Sequence, residues 1–97
     1  MQNNAVVLQY LGRYDEAELC LKEMLDDYPN NYRVPMRLAM LYIDREGKKA
    51  INERDYTEFG QYLAKARTLY KNSAVQDSEM IRLEDLAAQL KEYGWEY

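Results

Sequence analysis

The chain contains no histidine. That absence removes Ser-His-Asp and Cys-His catalysis, the Glu-x-x-His pattern of di-iron bundles and most zinc chemistry together. A single cysteine, Cys20, allows neither an internal disulfide nor a cysteine-only metal cluster. Glycine occurs 4 times and proline twice, too rarely for a loop-rich or disordered chain. Apolar runs are short, as in Ala5-Val6-Val7-Leu8, against the roughly 18 residues a membrane span needs. No basic region followed by an apolar core stands at the N-terminus, so the expectation is a soluble, cytoplasmic protein without a signal peptide. Positive charge is in deficit: 13 basic residues face 17 acidic ones, for a net charge of -4. That balance argues against nucleic-acid binding, which needs a basic face.

What remains is suited to packed helices. Of the 97 residues, 47% are hydrophobic and 31% charged, enough for one domain with a modest core. Ten tyrosines against one Phe and one Trp suit a thin structure, where a ring packs while its hydroxyl stays at a wet edge.

Apolar spacing is helical throughout. Tyr56, Phe59, Leu63, Ala66 and Tyr70 step by three and four, which puts them on one helix face. Asp55 with Glu58 three residues later reads as a capping box. Tyr14, Ala17, Leu21 and Met24-Leu25 step the same way, and Pro29 ends that helix near Asp27. Asn30-Asn31 supply cap chemistry for the next helix, in whose first turn Pro35 must lie. A last helix is predicted from Asp77 or Ser78 to about Tyr93, with Met80, Leu83, Ala87 and Leu90 on its face. Gly94 closes it and Trp95 folds back on Leu90. Gly12 separates a first helix, about residues 2 to 11, from the second. The fold class is therefore all-α, with five helices and no strands.

The chain repeats itself. A shift of 34 aligns Ala5 with Ala39, Val7 with Leu41 and Leu8 with Tyr42; a shift of 42 aligns Tyr14 with Tyr56, Leu21 with Leu63 and Tyr28 with Tyr70. Two antiparallel helical hairpins follow, the second with about 8 extra residues around its turn. The expected boundaries are 1-29 for the first repeat, 30-71 for the second and 77-93 for a capping helix. Eight residues are slightly more than two turns, so the insertion is expected to lengthen both arms. Helix 3 would then run past Gly47, with Ala50 on the face of Tyr42.

The period and the segment Gly12-x-Tyr14-x-x-Ala17-x-x-x-Leu21-x-x-Met24-Leu25-x-x-x-Pro29 resemble the tetratricopeptide repeat, and Leu38-Ala39-x-x-Tyr42 is similar to that family's first helix. The chain departs from the pattern at Met24, Pro35, Phe59 and Lys71. The resemblance implies a short superhelix of about two repeats, whose function is to present a groove to a peptide or helix of another protein. It also implies that the first helix of each repeat lines the concave side. The groove residues expected on that basis are Arg33, Met36, Arg37, Met40 and Asp44 on helix 3, with Val6 and Gln9 on helix 1. Methionine is an adaptable contact surface, and two arginines one turn apart can share a carboxylate, so an acidic or C-terminal peptide is the expected ligand. In the competing reading, Met36 and Met40 pack on the last helix and the arginines are solvated.

Other candidates carry less. Asp15-Glu16, Asp26-Asp27 and Glu84-Asp85 are adjacent pairs that point to different sides of a helix and make no catalytic dyad. Cys20 lies between two leucines and is expected to be inert. Lys48, Lys49 and Arg54 form the one basic cluster, read as a solvated turn. No enzyme activity, cofactor or metal is expected. The alternative to a binding groove is an oligomerisation module. At least three repeats are usually needed to bury a continuous core, so the apolar run Val6-Val7-Leu8 on helix 1 could pair with a second copy.

Overall fold

A computed structural model describes residues 7–97, and every regular element among them is helical. Residues 7–10 form the described part of α1. They are followed by α2 (Tyr14–Asp27), α3 (Arg33–Gly47), α4 (Thr57–Lys71) and α5 (Ser78–Glu92). A single 3-10 turn, Ile51–Glu53, interrupts the connection from α3 to α4.

The boundaries follow from local chemistry. Gly12 adopts φ +77°, and the Arg13 N–H donates to the Leu8 carbonyl at 2.8 Å, closing α1 in a left-handed turn. α2 stops one residue before Tyr28-Pro29, as the proline requires. Asn31 Oδ1 accepts from the Arg33 N–H at 3.1 Å just ahead of α3, and Pro35 falls inside its first turn. Asp77 caps α5 by accepting from the Glu79 N–H at 2.9 Å. Gly94, at φ +86°, ends α5, and the Trp95 N–H donates to the Leu90 carbonyl at 3.0 Å.

α3 is the central element and packs against α2, α4 and α5. Its buried residues are Val34, Pro35, Met36, Leu38, Ala39, Leu41, Tyr42 and Glu46, more than half of its length. The neighbours each contribute a stripe: Ala17, Leu21 and Met24 from α2; Phe59, Leu63 and Ala66 from α4; Met80, Leu83, Ala87 and Leu90 from α5. Ala17, Ala39 and Ala66 are wholly inaccessible, which fits small residues at close helix contacts.

The insertion departs from the sequence expectation. α3 ends at Gly47 instead of continuing, Ala50 is exposed, and residues 48–56 form a loop around the 3-10 turn. Gly47 costs a helix about 1 kcal/mol relative to Ala. The loop has its own fastenings that replace helical bonds. The Arg54 guanidinium donates to the Gly47 and Lys49 carbonyls at 2.9 and 3.0 Å. Asp55 Oδ1 accepts from the Thr57 N–H at 2.9 Å and starts α4. The reciprocal half of the expected capping box is not made by Glu58. Instead the Asp55 N–H donates to Glu46 Oε1 at 3.0 Å, from α3.

The C-terminal residues are fastened as well. The Trp95 ring meets Tyr56 edge-on at 5.1 Å, and Tyr97 meets Phe59 at 5.2 Å. The Tyr97 hydroxyl donates to the Ala87 carbonyl at 3.1 Å. A Cβ on Gly60 would lie 2.5 Å from the Tyr97 backbone carbon, so this tail can cross α4 only where a glycine stands.

Candidate functional site

α1, α3 and α5 contribute to one groove of about 730 Å³. Its apolar surface is Met40 and Ile43 of α3 with Leu86 of α5, and its charged groups are Arg37, Asp44, Lys48, Glu79 and Arg82. Gln9 and Tyr10 border it from α1, and Tyr10 is 88% exposed. These side chains share a surface because α3 turns one stripe to the core and leaves the next partly open. Met40, Ile43 and Asp44 are half-buried, while Leu38, Leu41 and Tyr42 are fully buried.

The seven residues expected to line a groove are placed as follows. Arg37, Met40, Asp44 and Gln9 share this surface. Met36 does not: it is 1% exposed and belongs to the core, because its turn of α3 is covered by other helices. Arg33 is exposed outside the groove, with Nε 3.9 Å from Asp77. Val6 lies outside the described residues. The two arginines therefore do not share a free carboxylate. Arg37 Nη2 bonds Glu79 at 2.7 Å, and each arginine faces a separate acidic residue at the start of α5.

Polar contacts divide the groove into two ends. At one end Asp44 Oδ2 accepts from the Tyr14 hydroxyl at 3.0 Å and from Gln9 Nε2 at 3.4 Å. Lys48 Nζ lies 5.2 Å from the centre of the Tyr14 ring. The Tyr14 hydroxyl foremost, and Asp44 after it, raise the Lys48 ammonium above its ordinary value, so it stays charged. At the other end stand Arg37, Glu79 and Arg82. Arg37 Nε is buried and has no hydrogen-bond partner among the described residues.

A second cluster lies where α2, α3 and the loop meet, and here the role is structural. Glu46 is 1% exposed. It receives the Asp55 N–H, Lys49 Nζ at 2.9 Å and Arg45 Nε at 3.1 Å. Burial pushes the Glu46 carboxyl up, but the Asp55 N–H, Lys49 and Arg45 outweigh it, and the net shift is below the ordinary 4.5. Arg45 also reaches Glu18 at 3.5 Å, and the Tyr42 hydroxyl donates to Glu18. Burial first, and the Glu18 carboxylate second, raise the Tyr42 phenol well above its ordinary range. A third group ties α5 to the rest: Tyr32 donates to Asp77 Oδ2 at 2.6 Å, and the Asp77 N–H donates to the Tyr70 hydroxyl at 2.9 Å.

Sequence reasoning missed Tyr10, Ile43, Lys48, Glu79, Arg82 and Leu86 as neighbours of the groove. Three of them come from α5, whose angle against α3 is not encoded in periodicity. Glu46 was legible in part, because Leu38, Tyr42 and Glu46 step by four and place a carboxylate on the core face. Among the described residues no group of acidic and cysteine side chains could hold a metal, and no helix is long and apolar enough to cross a membrane. No family model, curated protein or solved structure matches the chain.

Proposed function

We propose that the chain is a protein-interaction module of the tetratricopeptide-repeat kind, a cytoplasmic scaffold element that presents the α1–α3–α5 groove to a peptide or helix of a partner protein. One observation carries this reading. The groove combines half-buried apolar side chains, Met40 and Ile43 of α3 and Leu86 of α5, with charged groups at both ends, beside a face of α3 that is committed to the core. Such a surface gives a partner apolar area to cover and polar groups to fix its register. The module performs no reaction of its own and needs no cofactor.

The test is site-directed photocrosslinking in native lysate. A benzophenone side chain at Tyr10 or Met40 should trap the same protein partner, and one at exposed Lys65 on α4 should not. Equal trapping at all three positions would show a sticky surface and no groove function. Trapping at Lys65 alone would move the interface to α4.

A second reading has its own observation. Val7, Tyr10 and Leu11 are 54, 88 and 64% exposed at the end of α1. An oligomerisation module would bury them against a second copy. Sedimentation would then show dimers at micromolar concentration that weaken when Val7 becomes Lys, whereas a monomer at every concentration would dismiss this alternative.

A further inference from the structure

Among the groove's charged groups Arg37 and Glu79 pair with each other, whereas the cations Arg82 and Lys48 form no ion pair among the described residues. Asp44 accepts from Tyr14 and Gln9, and Glu79 is held by Arg37. On the donor side, Arg37 Nε has no acceptor. Arg82 is exposed and forms no ion pair among the described residues; Lys48, also exposed, forms none either. The groove holds three cations against two carboxylates, and the cations without an ion pair, Arg82 and Lys48, sit on both sides of Met40, Ile43 and Leu86. This holds although the whole chain carries a net charge of -4. A basic segment would meet three cations against two carboxylates, one of which, Glu79, is already paired with Arg37. A purely apolar one would cover Arg82 and Lys48 without supplying an acceptor to either.

We propose that the partner is an acidic amphipathic segment, with side-chain carboxylates placed at Arg82 and Arg37 at one end and Lys48 at the other, and an apolar residue between them on Met40, Ile43 and Leu86. Arginine binds such carboxylates through paired, directional bonds, and ammonium by charge. The recognised groups are carboxylates within the segment, so a free chain end is not required. The proposal rests on the groove being the docking surface.

Three peptides of equal length and leucine content test it, each amidated at its C-terminus and completed with glutamate, glutamine or lysine. Binding is read from amide chemical shifts at Arg37, Met40, Ile43, Arg82 and Leu86, with Lys65 as the reference outside the groove. The glutamate peptide should shift the groove residues and bind at least about tenfold tighter than the glutamine peptide, the scale of one charge-assisted hydrogen bond. That advantage should shrink as salt is raised. Joint Lys48→Glu and Arg82→Glu substitution, at two exposed positions, should leave the circular dichroism unchanged and transfer the preference to the lysine peptide. Equal affinity for glutamate and glutamine peptides at the groove would overturn the acidic partner while leaving the groove intact as a docking site. Preference of the unaltered protein for lysine would do the same. If no peptide moves the groove residues, both the partner and the groove reading fail.

Discussion

Glu46 shows how one side chain can hold a junction together. It is a buried carboxylate that satisfies the backbone of Asp55 and two cations, Arg45 on its own helix and Lys49 just past its end. Glu46→Gln should destabilise the fold by roughly 1 to 3 kcal/mol, because the Asp55 N–H keeps an acceptor but the charge that holds Arg45 and Lys49 is lost. The pH dependence has a definite sign. The folded-state value of Glu46 is depressed, so its contribution is complete above the ordinary 4.5 and is lost as pH falls through the lower folded-state value. Urea titrations between pH 6 and pH 3 should show a shallower acid loss in Glu46→Gln than in the unaltered protein. Equal slopes would assign the acid sensitivity to Glu18, Asp55 or Asp77, whose carboxyls are also depressed. Much at this scale was legible in the sequence. Asn31, Asp55, Asp77, Gly12 and Gly94 announce helix ends because their chemistry is local, whereas the partner of the Asp55 N–H is nine residues away, on another helix.

At the scale of the element, helix identity was readable and helix length was not always so. The periodicity of α2, α4 and α5 is strict and their ends are marked by proline, glycine or a cap. The extra residues after Gly47 keep helical phase on paper, yet the chain spends them on a loop, since phase alone supplies no contact for exposed Ala50 and Ile51 to bury. Two predictions belong here. Ala17→Leu and Ala39→Leu should each cost about 1 to 3 kcal/mol by overpacking sites with no accessible surface. Unchanged melting temperatures for both would mean that the packed backbones separate without cost. Gly60→Ala should detach the tail, because its new Cβ would sit 2.5 Å from the Tyr97 backbone. The lone tryptophan, Trp95, reports this directly: its emission should shift to longer wavelength as it leaves Tyr56. Improved helix propensity at position 60 offsets up to about 1 kcal/mol of the loss, so fluorescence is the more decisive readout than melting temperature.

On the scale of the whole molecule, one helix organises the rest. α3 touches α2, α4 and α5, so these helices share a single core. The radius of gyration, 13.0 Å, is about that of a globular domain of this length, not of an extended solenoid. Unfolding should therefore be one cooperative event. Thermal transitions followed by Trp95 fluorescence at one end and by far-ultraviolet dichroism throughout should coincide, and separate midpoints would reveal hairpins that melt independently. The groove was less legible than the fold for the same reason: it arises where α5 meets α3, between residues some forty positions apart such as Arg37 and Glu79. The loop between α3 and α4 has one more consequence. Residues 48–54 carry two lysines and an arginine at exposed or half-exposed positions outside the helices. A tryptic nick there would sever the polypeptide while leaving the α3–α4 contact and the Glu46–Asp55 bond to act as a suture. The two pieces would be natural halves of a split protein, able to find each other again from separate solutions.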